Sequence, residues 1–510
     1  MKPFNRFAVL STVSALASLL AACGGGGGGY SGGGGGGGGG TTYDVSGTIT
    51  GLTTSGLVLQ NNGGNSQNVA ANATSFKFTG VANGPYAVTV QTQPSGTTCG
   101  VTNGSGTVNG ANVSNVNVSC SNVLALSVNP GPAAAADQTF NDLLASVIVC
   151  PPNSRTGCVT INNVLVDTGS EGLRLMKSVL TSAGLSLTPL ADPSNAANSI
   201  HECLPFADGY SWGAVAMAGV QIGGESVASL PVQVIDDSAS PSPAAPTTGT
   251  CTSNGAALNS VNAFDANGVI GVGVLVQDCD PVSCLAATSY YYSCSSGGTC
   301  NPTTLAAADE VANPVASFAT DNNGVIVQLQ AIPDTGAATA TGTLTFGIGT
   351  EGNNALGGSV TILDATALDG YFTTTPSGQK ALMNSFIDSG SNALFVPSSL
   401  TPCVPPPTGI DSFYCPGNSS SLSLATLSAT NQGATNGNVS QVMFNIANLQ
   451  FLAANDGSNF ALDDVGGPAA KFNNITQYFD WGLPFFYGRT IYFAIEGKAA
   501  GGTNGPYYAY

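Results

Sequence analysis

The chain has 510 residues and sets 28 acidic against 10 basic side chains, a formal charge of −18. That length exceeds one ordinary domain and points to two or three. Charged residues are only 7% of it, so Ser, Thr, Asn and Gly supply most of the polar surface, and the missing basic footprint argues against a nucleic acid partner.

At the N-terminus, Lys2 and Arg6 precede an apolar run from Phe7 to Leu20 that closes in Leu20-Ala21-Ala22-Cys23. The run is short for a membrane span and has the layout of a removable leader. It resembles a bacterial lipoprotein signal, residues 1–22, after whose removal Cys23 becomes the lipidated first residue; an ordinary leader with an incidental Cys is the alternative reading. Gly24 stands where an Asp retains many such lipoproteins at the inner membrane. The resemblance therefore implies an outer-membrane lipid anchor, facing periplasm or cell surface. Residues 23–42 are mostly glycine, interrupted by Tyr30 and Ser31, and read as a flexible tether.

Residues 43–121 alternate with period two in stretches such as "YDVSGTITGL" and "SFKFTGVANGPYAVTVQTQ", broken by Gly, Asn and Pro. This predicts a small β-sandwich, read as a spacer before a carbohydrate-binding module because it holds no catalytic cluster. Beyond it the pattern stays strand-rich, with short interruptions at Met176–Ala183 and after Leu400. The 389 remaining residues (510 minus 121) are many for one β-sheet core, so two lobes are expected, 122–335 and 336–510.

Thirteen Cys less Cys23 leave twelve, an even number suited to an oxidising compartment. Spacing suggests Cys99 with Cys120, Cys150 with Cys158 and Cys403 with Cys415, with Cys203 and Cys251 left to each other. Cys279, Cys284, Cys294 and Cys300 form a cluster whose pairing the sequence leaves open. No metal is expected: "CDPVSC" lacks the CxxC spacing, His201 is the only His, and "FDANG" offers too few ligands for calcium. His201, close to Cys203, reads as a surface or capped residue, not the base of a serine hydrolase.

One phrase is written twice. "VLVDTGSEGLRL" (Val164–Leu175) and "FIDSGSNALFVPSS" (Phe386–Ser399) each run an apolar strand into Asp, a small hydroxyl residue, Gly and Ser. The strand anchors the segment, Gly permits a sharp turn and close approach, and the hydroxyls can bond a carboxylate. A single copy is an ordinary turn, but two copies 221 positions apart (388 minus 167) ask for a shared purpose. A glycosidase also uses two carboxyls, yet its chemistry does not call for twin Ser- and Gly-bearing turns.

Here the chain resembles the pepsin-like aspartic peptidases, whose two lobes each donate one Asp from a D-[TS]-G-[ST] turn. Supporting segments fall in the family's order: "FADGYSWGAVAMAGVQIGG" (Phe206–Gly224) like its flap hairpin, "GVIGVG" (268–273) like the strand behind the first turn, "GTLTFGIGT" (342–350) like the opening of the second lobe, and "WGLPFFYGRTIYFAIEG" (481–497) like the second-lobe counterpart. The resemblance covers residues 122–510 and implies an all-β, bilobal, pepsin-like double β-barrel behind the sandwich. Asp167 and Asp388 would then face each other and share one proton. Ser170 and Ser391 would bond their outer oxygens, Thr168 and Ser389 would brace the turns, and Gly169 and Gly390 would let them close. No cofactor is implied. The expected protein is a monomeric, lipid-anchored aspartic endopeptidase acting on peptide or protein substrates; the alternative is a non-catalytic surface-binding or adhesion lipoprotein on the same scaffold.

The sequence departs from the family at named positions. In the flap, Phe206, Asp208, Gly209 and Tyr210, the usual Tyr is replaced by Phe206. The family's frequent Trp, which bonds that Tyr, falls near Arg174, whose charge is expected to favour ionising both carboxyls. Asp480 precedes Trp481-Gly482 where two apolar residues are usual.

Overall fold

The computed structural model describes residues 41–510 except 53–54, 93, 95–98, 136–138, 155, 208, 247–251, 253–254, 280–289, 404–412 and 470–476. The leader, Cys23 and nearly all of the tether thus lie outside the described residues, as do Asp208, Cys251 and Cys284.

Residues 42–119 form two packed four-stranded sheets. In one, Thr42–Thr50 lies between Ser75–Ala82 and Val113–Ser119; in the other, Val58–Asn61 lies between Gly64–Asn68 and Gly84–Thr92. Alternation drives the packing: Val45 and Ile49 turn inward with Phe76, Phe78, Val116 and Val118, and meet Leu59, Val88 and Val90 of the facing sheet.

The rest of the described chain is also nearly all-β and divides into two lobes. In the first, Val159–Asp167 runs parallel to Gly268–Val272, and Glu171–Met176 comes back antiparallel along the other side of that central strand. All five residues of Gly268–Val272 are buried, as a strand covered on both faces requires. The second lobe repeats the plan: Leu382–Ile387 runs parallel to Asp480–Trp481, with Leu394–Phe395 antiparallel beside it. The repeat is in register. Leu165 and Arg174 flank Val269 in the first lobe, and Phe386 and Phe395 flank Asp480 in the second.

A sheet of Val123–Val128, Ala340–Phe346, Gly324–Leu329, Thr490–Ala494 and Tyr507–Ala509 joins the lobes. One apolar core runs through all three parts, from Val147 and Val166 through Phe346 and Phe493 to Ile387 and Trp481. Helix is confined to short pieces such as Lys177–Ser182, which has no side-chain cap.

Disulfides join Cys99–Cys120, Cys150–Cys158 and Cys403–Cys415, and in the cluster whose pairing the sequence left open Cys294 pairs with Cys300 across a tight strand turn. Cys203 and Cys279 are also disulfide-bonded. The single histidine corrects the sequence reading. His201 is buried, stacked on Trp212 at 5.3 Å, and burial lowers its pKa to about 4.

Candidate active site

Each parallel strand delivers its Asp to the centre of the molecule, and the chain then turns within two residues. Asp167 Oδ1 accepts from Gly169 N at 2.8 Å and Oδ2 from Ser170 Oγ at 2.5 Å. Asp388 is held the same way, by Gly390 N at 2.7 Å and Ser391 Oγ at 2.8 Å. The two carboxyls hydrogen-bond each other. The glycines are required by that closeness: a Cβ on Gly169 would lie 2.5 Å from Asp388 Cγ, and one on Gly390 would lie 2.6 Å from Asp167 Oδ1.

Behind the carboxyls the turns exchange hydrogen bonds across the lobes. Ser389 N donates to Thr168 Oγ1 at 2.9 Å while Thr168 N donates to Ser389 Oγ at 3.2 Å. Each hydroxyl then donates to the opposite strand, Ser389 to Val166 O at 2.7 Å and Thr168 to Ile387 O at 3.2 Å. Every polar atom in this set is buried and used, which fixes the relative position of the two aspartates.

Burial raises Asp167, and the charge of Asp388 raises it further, to about 7. Two carboxylates in contact in a buried site cannot both ionise cheaply, so the pair holds a proton. Beside them a cleft of about 200 Å³ separates the lobes. Thr168, Gly169, Ser170 and Glu171 form one wall, Leu368, Asp369, Gly370, Tyr371 and Phe386 the other, and Leu204 and Pro205 of the hairpin close an end. Glu171 accepts from Leu275 N at 3.2 Å, yet enclosure and the neighbouring Asp167 push it up to about 8. A larger cavity of about 550 Å³ lies beside Lys177, His201 and Asp236 and takes in none of the turn residues.

The hairpin proposed as a flap exists, from Asn195–Pro205 to Gly209–Ile222. Phe206 N donates to Gly209 O at its tip, but the Phe206 ring turns into an apolar cluster and packs edge-on against Phe264 at 5.4 Å. Gly209 and Tyr210 are clamped by Ala256–Ala257, which pairs alongside them. Leu204 and Pro205, not Phe206, reach the cleft. Without a hydroxyl to place, the aromatic residue gains more from burial than from exposure over a polar site.

Arg174 is a second correction. Its side chain is fully buried and points away from the pair, to Glu202 Oε1 at 2.6 Å, Asp278 Oδ2 at 2.8 Å and Glu171 O at 2.6 Å. Two carboxyls thus absorb its charge, and it ties the strand after the first turn to the hairpin. Its expected influence on the dyad is spent elsewhere.

Asp480 is the residue whose part the sequence left undefined. It is 3% exposed, and Ser391 Oγ lies 2.7 Å from its Oδ2 while bonding Asp388. Burial, then the charge of Asp388, raises its pKa well above the usual carboxylate range. The signal was present as one acid inside the aromatic run Tyr478-Phe479-Asp480-Trp481.

This chain belongs to the family described as "Protein of unknown function (DUF3443)", whose model matches residues 118–510. No curated protein matches it. Among solved structures it is similar to an aspartic proteinase from Irpex lacteus, at 15% identity and a TM-score of 0.39, over 76% of this chain and 96% of that one. So loose a likeness assigns no chemistry; the carboxyl geometry has to stand by itself.

Proposed function

We propose that this protein hydrolyses peptide bonds with a water molecule held between Asp167 and Asp388. The observation that carries the reading is the pair itself: two hydrogen-bonded carboxyls, one from each lobe, in matching turns, the first of which lines the cleft through Thr168, Gly169 and Ser170. Asp167, the member with the raised pKa, is the acid that polarises the scissile carbonyl. Asp388, held by Gly390 N and Ser391, is the base that takes a proton from the attacking water. The cross-lobe bonds of Thr168 and Ser389 supply the preorganisation such a step needs. The chemistry uses no cofactor, and extended peptide in the cleft is the substrate class. A lipid on Cys23 would hold the enzyme at the outer membrane, with the glycine tether and sandwich as a stalk.

The test is cleavage of a mixed peptide library by the purified chain across about pH 3–8, the span in which a shared-proton pair works. Loss of cleavage in both Asp167→Asn and Asp388→Asn supports the reading. A well-folded protein that cleaves nothing at any pH sinks it and leaves the scaffold a binding role. For the anchor, Cys23→Ser should move the chain from the membrane to the soluble fraction; an unchanged distribution refutes lipidation.

A further inference from the structure

Ser391 has more neighbours than protons. Its Oγ sits 2.8 Å from Asp388 Oδ2 and 2.7 Å from Asp480 Oδ2. A hydroxyl donates once, so at one of these contacts Oγ is the acceptor and the carboxyl must carry the proton. Asp388 is surrounded by donors, Gly390 N at 2.7 Å and Asp167 among them. Asp480 has no such support: its Oδ1 is buried without a hydrogen-bond partner among the described residues. A carboxylate in that position would leave a charged oxygen unsolvated, whereas a neutral acid leaves only a carbonyl oxygen. Among the described residues no cation compensates either: Arg489 bonds Phe485 O, and Arg174 is engaged with Glu202 and Asp278.

We infer that Asp480 is a protonated carboxylic acid that donates to Ser391, which donates in turn to Asp388, so that the centre is three carboxyls sharing two protons. The first lobe shows what Asp480 adds. Val269 occupies the equivalent place there, and Ser170 Oγ serves Asp167 alone. In the second lobe the Ser391 proton is steered onto Asp388 from behind, which keeps that residue the proton acceptor. An ionised Asp480 would compete for the same proton and strip Asp388 of a donor. Among the described residues, the titratable groups facing Asp480 are Asp388, Asp167 and, farther round, Tyr508, whose hydroxyl donates to Gly370 O. Its own burial favours the neutral form. Asp480 is thus a positioning residue acting through Ser391, a role that rests on the peptidase reading; its protonation state does not.

Infrared spectra of the full chain and its Asp480→Asn variant at neutral pH separate the two. Loss of a protonated-carboxyl C=O band, with the carboxylate bands intact, is the expected difference. Loss of a carboxylate band instead overturns the inference. If Asp480→Asn fails to fold, Ser391→Ala gives the second measurement: the acid loses its acceptor and its C=O band moves to higher frequency, and no movement overturns the inference. In an active enzyme, Asp480→Leu should lose on the order of tenfold in kcat at unchanged KM by misplacing the base, and Asp480→Asn, which keeps a donor, should restore most of it. A leucine variant with wild-type kcat overturns the positioning role. A wild-type chain that cleaves nothing, but loses the acid band in Asp480→Asn, sinks the peptidase reading and leaves the three-carboxyl centre standing.

Discussion

Beside each Asp-bearing turn the two lobes lay down the same row of three residues, and they fill it with opposite chemistry. The first lobe has Leu165, Val269 and Arg174; the second has Phe386, Asp480 and Phe395. Each row buries one ionisable group, a base on the returning strand or an acid on the central one. The fold accepts either because each finds partners: Arg174 looks outward to Glu202 and Asp278, Asp480 inward to Ser391. One lobe spends its buried polar group on holding the hairpin, the other on the carboxyl pair. A fourth position diverges too, since Glu171 on the cleft wall corresponds to Asn392.

The strongest way to break the first row is Arg174→Leu, which strands two buried carboxyls. Chemical denaturation should show a loss of about 3–5 kcal/mol, with partial recovery when Glu202→Gln and Asp278→Asn are added. A loss no larger than that of a surface substitution would mean the ion network contributes nothing. Exchanging the rows is the next test. Val269→Asp should cost roughly 1–3 kcal/mol for a buried polar group without a prepared partner, while Asp480→Val is neutral or stabilising. Equal costs would show that the lobes are electrostatically interchangeable after all.

Thr168→Ala and Ser389→Ala probe what the lobes share. Each leaves a buried N–H without its acceptor, so each should cost about 1–3 kcal/mol, and the pair of values should agree because the bonds are reciprocal. A clear inequality would place the weight of the joint on one lobe. A last effect is a pH slope. Glu171 rises from 4.5 to about 8 and Asp167 from 3.8 to about 7, so the folded state binds more protons than the unfolded chain between those limits. Stability is fully present below the lower values and falls as pH climbs through about 7–8. Calorimetry should record that fall in Tm, and Glu171→Gln should flatten its upper end; a Tm rising with pH over the span would refute the enclosure of both carboxyls.

The turns were legible in the sequence because their chemistry is local. Asp, hydroxyl, Gly and Ser act within four positions, and apolar strands announce where those positions sit. The central strand "GVIGVG" was legible for the same reason, as an apolar run with room for close approach. What escaped depends on partners chosen by tertiary structure. Arg174 finds Glu202 and Asp278 28 and 104 residues away, and no spacing rule links them. Phe206 was placed over the cleft by its position in a hairpin, but the apolar cluster around Phe264 outweighed that position. Asp480 stood out as an acid where an apolar residue is usual; that Ser391 would serve two carboxyls was not visible until the lobes were folded together.

The bonds between Thr168 and Ser389 also have a mechanical consequence. They cluster where the lobes meet, directly behind the carboxyls, and load together when the lobes are pulled apart. Such a joint works as a pin: stiff against separation, compliant to tilting about itself. Widening of the cleft mouth is then a swing of one lobe about that pin, with the aspartates at nearly zero lever arm. The walls at Glu171 and Tyr371 can part in such a swing while Asp167 and Asp388 keep their distance.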